Sequence, residues 1–406
     1  MILRNFSRRF AGVVLATSVA LSALGAAPAF AEPGFEAWRA DFRQTAMASG
    51  ISKSTFDRAF RGVDSIDPEV LEKARYQPEF RAAAWDYFDN RIHEESVATG
   101  RAMAKKYKPW LDRIEARFGV DRNILLAIWS MESNYGEILK NEGVMRNVVR
   151  SLSTLAYADK RRAKFARTQL IAALKILQHG DIDESHLTGS WAGAMGHTQF
   201  IPTSYQSYAV DMDGNGKRDI WSSVPDALAT AANLLKKNGW QAGSTWGYEV
   251  KAPAGKLPGG ALALSKWEDL GVVRANGRQF RNGGQSAVLK LPDGRGGPAF
   301  LLTKNFRVIK AYNNADKYAL AVGLLADQIA GSDGLVADWK RPFTKLSFEQ
   351  RQELQKRLMQ TGYYDGKFDG KIGSGSIAAI KAYQQRNGME PTGHPSLEVL
   401  KQLRGG

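Results

Sequence analysis

Glu132 is the residue of this sequence whose type and placement most directly suggest chemistry. In the stretch Asp121 to Gly136, DRNILLAIWSMESNYG, it follows the almost unbroken apolar run Ile124 to Met131. At helical spacing Glu132 shares a face with Leu125 and Ile128, so its carboxyl is expected beside packed apolar surface instead of water. It also falls in the last turn, where the helix dipole opposes an anion. Both effects disfavour the charged form and raise the pKa, as a general acid working near neutral pH requires. A solvated glutamate at a helix end is the alternative that this stretch alone leaves open. No partner acid is evident: Glu137 projects away from Glu132 on a helix, and Glu142 lies beyond Gly136.

Two other stretches carry groups suited to a ligand. Gly189 to Pro202, GSWAGAMGHTQFIP, is dense in small residues, which permits close backbone approach to a packed helix or to a ligand. Within it Ser190 and Gln199 offer hydrogen bonds suited to a sugar amide or hydroxyl. Asp211 to Ser222, DMDGNGKRDIWS, has the spacing of a calcium-binding helix-loop-helix loop. Asp211, Asp213, Asn215 and Asp219 supply side-chain oxygens and Lys217 a backbone carbonyl, so weak structural Ca2+ binding there is one expectation. Arg218 stands where an apolar residue is usual, and Ser222 replaces the terminal bidentate acid, which puts the ion in doubt. No cofactor is required by the reading of Glu132.

The elements that must position these groups are mostly helical. Asp121 reads as an N-cap and Gly136 as a left-handed helix end. Phe35 to about Tyr107 is helical with turns at Gly50-Ile51-Ser52 and Asp67-Pro68, and contains Gln77-Pro78-Glu79-Phe80 followed by Trp85 and Tyr87. Such aromatics are commonly core, but beside a sugar cleft they stack on apolar ring faces. Trp110 to Gln178 is a second helical block, in which the basic run from Lys160 reads as a solvated face. Pro225 to Lys237 is an amphipathic helix. From about residue 240 to 307, short strand-like pieces such as Ser286 to Leu291 and Ala299 to Leu302 predict a small β-rich insertion. Helical pattern returns at Lys317 to Ile329, residues 331–344 read as a linker, and 345–406 as a separate module of three helices.

The chain has 406 residues, enough for two or three domains. Arg4, Arg8 and Arg9 precede an apolar stretch, and Ala29-Phe30-Ala31 has the small-x-small pattern of a signal-peptidase site, so residues 1–31 read as a signal peptide and the mature protein as periplasmic. Ser7-Arg8-Arg9-Phe10 leaves the export route open. There is no cysteine, which removes disulfides, thiolate metal sites, cysteine nucleophiles and lipid attachment at a processed cysteine. The formal charge is +15; the first 31 residues hold three arginines and no acid, leaving +12 on the mature chain. That excess fits an anionic partner, either nucleic acid or a cell-wall polymer, and the export signal favours the polymer.

Taken in order, Gln77-Pro78-Glu79-Phe80, Glu132-Ser133-Asn134-Tyr135-Gly136, Ser190 to Gly196 with Gln199-Phe200, the Asp211 loop and Tyr312-Asn313 closely resemble the motifs of the type B lytic murein transglycosylases. The tail resembles the peptidoglycan-binding domain 1 family through Leu354-Gln355, Gly362-Tyr363-Tyr364, Asp369-Gly370, Ala379-Ile380 and Tyr383-Gln384. The resemblance implies a mainly α, lysozyme-like catalytic domain over residues 32–330 with a small β-rich insertion, and a C-terminal peptidoglycan-binding domain. It places the catalytic acid at Glu132, puts Ser190 and Gln199 near the N-acetyl group of the muramic sugar, and sets Tyr312, Asn313 and Tyr135 along the cleft. Tyr87 is a weaker stacking candidate. The implied reaction cleaves the bond between N-acetylmuramic acid and N-acetylglucosamine without water, leaving 1,6-anhydro ends. The implied partners are glycan strands and, further, proteins of wall synthesis or division; no nucleic acid or lasting membrane anchor is implied. A hydrolytic muramidase, which usually needs a second carboxylate, and a non-catalytic wall-binding protein, which gives Glu132 no task, stand as alternatives.

Overall fold

A computed structural model of the chain describes residues 33–75 and 83–405. The signal-peptide reading and the Gln77-Pro78-Glu79-Phe80 motif lie outside the described residues.

The protein is mainly helical, and the helix Arg122–Ser133 runs through its centre. Leu125, Leu126, Ala127 and Ile128 are fully buried, so this helix is apolar on every side and packed all round. It lies against the helices Asp316–Ile329, Glu94–Lys106 and Val224–Lys237. Asp121 caps it, accepting the Asn123 amide at 2.7 Å. Its other end differs from the sequence expectation. The helix stops at Ser133, and Asn134, Tyr135 and Gly136 are all left-handed, with φ of 48°, 56° and 88°. Asparagine tolerates that region, but a tyrosine there needs outside support. Tyr135 receives it by donating its hydroxyl to the Ser96 carbonyl at 2.9 Å and packing edge-on to Trp129.

Between Trp240 and Arg307 the chain forms a five-stranded antiparallel sheet, in spatial order Ala261–Ala263, Ser286–Lys290, Ala299–Leu302, Gly247–Lys251 and Val273–Arg274. The central strand Ala299–Leu302 is buried on both faces. Phe300 and Leu302 enter the main core, while Ala299 and Leu301 join Trp267, Leu264 and Tyr248 in the sheet's own cluster.

The C-terminal module packs the helices Phe348–Gln360, Ser374–Arg386 and Leu397–Gly405 around Leu354, Leu358, Ile380, Val399 and Leu400. The segment before it, read from the sequence as a linker, is docked against the rest of the chain. Trp339 is buried and stacks face to face on Phe88 at 4.3 Å, and Arg341 ion-pairs with Asp89. Aromatic burial and paired charges of this kind hold a connection in place.

Candidate active site

Glu132 stands at the mouth of the core, half-buried, one residue before its helix ends. Its Oε1 accepts the Tyr318 hydroxyl at 2.6 Å. Tyr318, on the first turns of the helix Asp316–Ile329, is buried and lies parallel to Tyr312 with ring centroids 6.3 Å apart. Tyr312 in turn donates its hydroxyl to the Thr198 carbonyl and meets the edge of Phe200. Burial, and after it the negative charge of Glu132, pushes both phenols well above the ordinary tyrosine range. Each is therefore a neutral donor, and Glu132 is the carboxylate that acts on both. Glu137 lies past the left-handed corner, exposed and paired with Lys140, and Glu142 is exposed.

The small-residue loop is fastened to the end of the acid's helix. Ser133 Oγ donates to the His197 carbonyl at 2.6 Å, and Trp129 Nε1 donates to His197 Nδ1 at 3.1 Å. That bond puts the ring proton on Nε2, and burial lowers the imidazole to about 4, so it is neutral at working pH. Gly136 is required here, because a Cβ at its φ of +88° would come within 2.5 Å of the His197 ring. Met195 and Phe200 exchange amide bonds across the loop's neck. Gln199, at a left-handed φ of 49°, donates Nε2 to the Gly196 carbonyl at 2.9 Å. Its Oε1 accepts no hydrogen bond among the described residues. Ser190 Oγ accepts the Ala192 and Ala194 amides, which leaves its hydroxyl hydrogen to donate outward.

The structure thus brings Glu132, Gln199 and Tyr312 into one neighbourhood, with Gln199 between the two residues that touch Tyr312. Asn313 is exposed beside Tyr312. Tyr87, on the helix Ala84–Arg91, is half-buried with the Arg91 guanidinium over its ring, and its phenol acts electrostatically on Tyr318. Tyr135 does otherwise: with its hydroxyl committed to Ser96 and burial raising it to about 12, it braces the corner. Tyr318 was missed by sequence reasoning. Its signal was a polar-tipped aromatic at the start of an apolar helix, six residues after Tyr312.

At the Asp211 loop the carboxylates of Asp211, Asp213 and Asp226 converge within 4.8 Å. Asp226 was not in the expected ligand set. Buried on the helix Val224–Lys237, it also accepts the amides of Met212, Asp213 and Asp219. Asp219 is not among these three acids; its oxygens accept Trp221 N, Ser222 N and Ser222 Oγ, and Asn215 Oδ1 accepts Lys217 N. Arg218 does not oppose an ion either. It turns away to the buried Asp181, with Nη2 at 2.6 Å from Oδ2.

The model of the transglycosylase SLT domain matches residues 34–327, and that of a peptidoglycan binding domain matches residues 348–403. The membrane-bound lytic murein transglycosylase B of Escherichia coli K12 is 30% identical over 276 residues, 68% of this chain and 74% of that protein. Among solved structures, SltB3 of Pseudomonas aeruginosa in complex with NAG-anhNAM-pentapeptide is similar at 48% identity and a TM-score of 0.72, covering 92% of this chain and all of that one. The Escherichia coli lytic transglycosylase Slt35 in complex with calcium is similar at 26% identity and a TM-score of 0.60, covering 73% of this chain and 93% of that one.

Proposed function

The chain belongs to the transglycosylase SLT family and is a lytic transglycosylase acting on peptidoglycan, and within that activity we propose that Glu132 alone is its acid and base. Protonated Glu132 gives its proton to the oxygen joining N-acetylmuramic acid to N-acetylglucosamine as the bond to muramic C1 breaks. The 2-acetamido group of the muramic sugar stabilises the cationic centre from within the substrate. The carboxylate then takes the proton of the C6 hydroxyl, whose oxygen bonds to C1 and closes the 1,6-anhydro ring. No water is consumed, and Glu132 ends protonated.

The observation that carries this reading is a half-buried carboxyl at the end of a buried helix, held by a buried, neutral Tyr318. Gln199 and Ser190 supply an acceptor and a donor for the acetamido group, and Tyr312, Asn313 and Tyr87 line the path of the glycan. Mass spectrometry of muropeptides released from purified sacculi tests the function: anhydro ends support it, and hydrated reducing ends as the main product favour a muramidase.

Export and action in the periplasm belong to the same proposal. They are supported by the arginines and the Ala29-Phe30-Ala31 pattern of the N-terminus and by a substrate that lies outside the cytoplasm. Among the described residues no helix is long and apolar enough to cross a membrane. The excess positive charge and the C-terminal module suit retention on wall polymer, and partner proteins of wall synthesis or division would be recruited there.

For calcium we propose a structural role only. Asp211, Asp213 and Asp226 are hard oxygen donors of the right class, and an ion there would tie the loop to the helix Val224–Lys237. Ser222 still withholds the exposed bidentate acid at the loop's end, so weak affinity is expected. Calorimetric titration should give a Kd no tighter than about 10 μM; submicromolar binding, or activity abolished by chelation and restored by calcium, would contradict this.

A further inference from the structure

The helix Ala84–Arg91 has two working faces, and they serve different parts of the molecule. Tyr87 and Arg91, one turn apart, face the acid. Arg91 Nη1 donates to the carbonyl of Met131, the residue immediately before Glu132, at 3.1 Å, while its guanidinium covers the Tyr87 ring. The helix also packs against Asp316–Ile329, which carries Tyr318. Trp85, Phe88 and Asp89 reach the C-terminal part of the chain, Phe88 while also meeting the Tyr87 ring edge-on at 5.7 Å. Trp85 meets Phe343 and His394 edge-on at 4.9 and 5.6 Å, and Phe88 stacks on Trp339. Asp89 accepts a fork from Arg341, with Nη2 2.8 Å from Oδ1 and Nε 3.2 Å from Oδ2, and Lys345 Nζ lies 3.2 Å from the same carboxylate. The Arg341 side chain is 5% exposed and Asp89 21%, so this pair is shielded far more than a surface bridge.

We propose that Asp89 is a positioning residue: by clamping Arg341 it fixes the helix Ala84–Arg91 between the segment that precedes the C-terminal module and the acid, so docking of that segment sets the geometry in which Glu132 works. The docked segment then acts on turnover itself, in addition to joining the catalytic domain to the module. This rests on Glu132 being the acid. A bidentate arginine clamp fixes orientation as well as distance, which is what a helix presenting Arg91 to the Met131 carbonyl requires.

The test uses the full chain and a short soluble glycan of alternating N-acetylglucosamine and N-acetylmuramic acid, for which tethering to sacculi is irrelevant. Asp89→Asn is expected to lower kcat on the order of tenfold to a hundredfold, the scale of a misplacement of about 1 Å, with KM little changed. Asp89→Glu, which keeps a carboxylate to accept the fork, should recover most of that loss. Unchanged kcat in Asp89→Asn, or a loss in Asp89→Glu as large as that in Asp89→Asn, would overturn the proposal. If Asp89→Asn fails to fold, Arg341→Lys, which keeps the charge and loses the fork, is judged by the same kcat criterion. Glu132→Gln on the same glycan is the separate control: activity retained there sinks the reading of the acid, whatever Asp89 does.

Discussion

Replacing Glu132 by glutamine is expected to leave the fold intact and to lower kcat by roughly 10²- to 10⁴-fold, the worth of general acid–base catalysis. That is roughly 3 to 5 kcal/mol of barrier. The carboxamide keeps an oxygen for the Tyr318 hydroxyl, so the 2.6 Å contact and the packing around it survive. What is lost is a proton to give and a carboxylate to take one back. Tyr318→Phe removes only the donor and should cost less, about tenfold, as expected for one hydrogen bond to a charged group. Circular dichroism and turnover of a soluble glycan check both variants. A Glu132→Gln enzyme that keeps more than about a tenth of wild-type activity cannot be using Glu132 as its essential acid.

The largest effect on stability is expected from Gly196→Ala. Gly196 has φ of +66°, and an added Cβ would overlap the carbonyl of Ile220. That neighbour is backbone, which cannot swing aside, and it is already held by the His197 amide at 2.9 Å. The loop therefore either opens or drags the Ile220 strand of chain with it, at a cost of roughly 2 to 4 kcal/mol. Gln199, three residues on and bonded to the Gly196 carbonyl, moves with the loop. A melting temperature several degrees lower and reduced turnover are the expected results. A variant that melts within about a degree of wild type would show that the loop has slack this account denies it.

The helical architecture was legible because its signals are local. The run Ile124 to Met131 is too apolar for a surface helix, and Asp121 is a good cap, so a buried helix ending in an acid could be read directly. The alternation that sends Phe300 and Leu302 one way and Ala299 and Leu301 the other likewise needs only the period of a strand. What escaped the sequence is what depends on distant partners. Tyr135 is no turn residue, and its left-handed conformation is stabilised by Ser96, 39 positions away. Tyr318 reaches Glu132 across 186 positions, a proximity that no spacing rule contains. Asp226 enters the Asp211 cluster because one helix folds back under the loop, and Trp339 turns a plausible linker into a docked segment by finding Phe88.

The central claim is that the C6 hydroxyl, and not water, closes the reaction on the carboxylate of Glu132. Digestion of purified sacculi in heavy-oxygen water, followed by mass spectrometry of the muropeptides, tests it most directly. Anhydromuramic ends carrying no label are expected, because no solvent oxygen enters the new C1 bond. Labelled reducing ends as the main product would contradict it and make the protein a hydrolase.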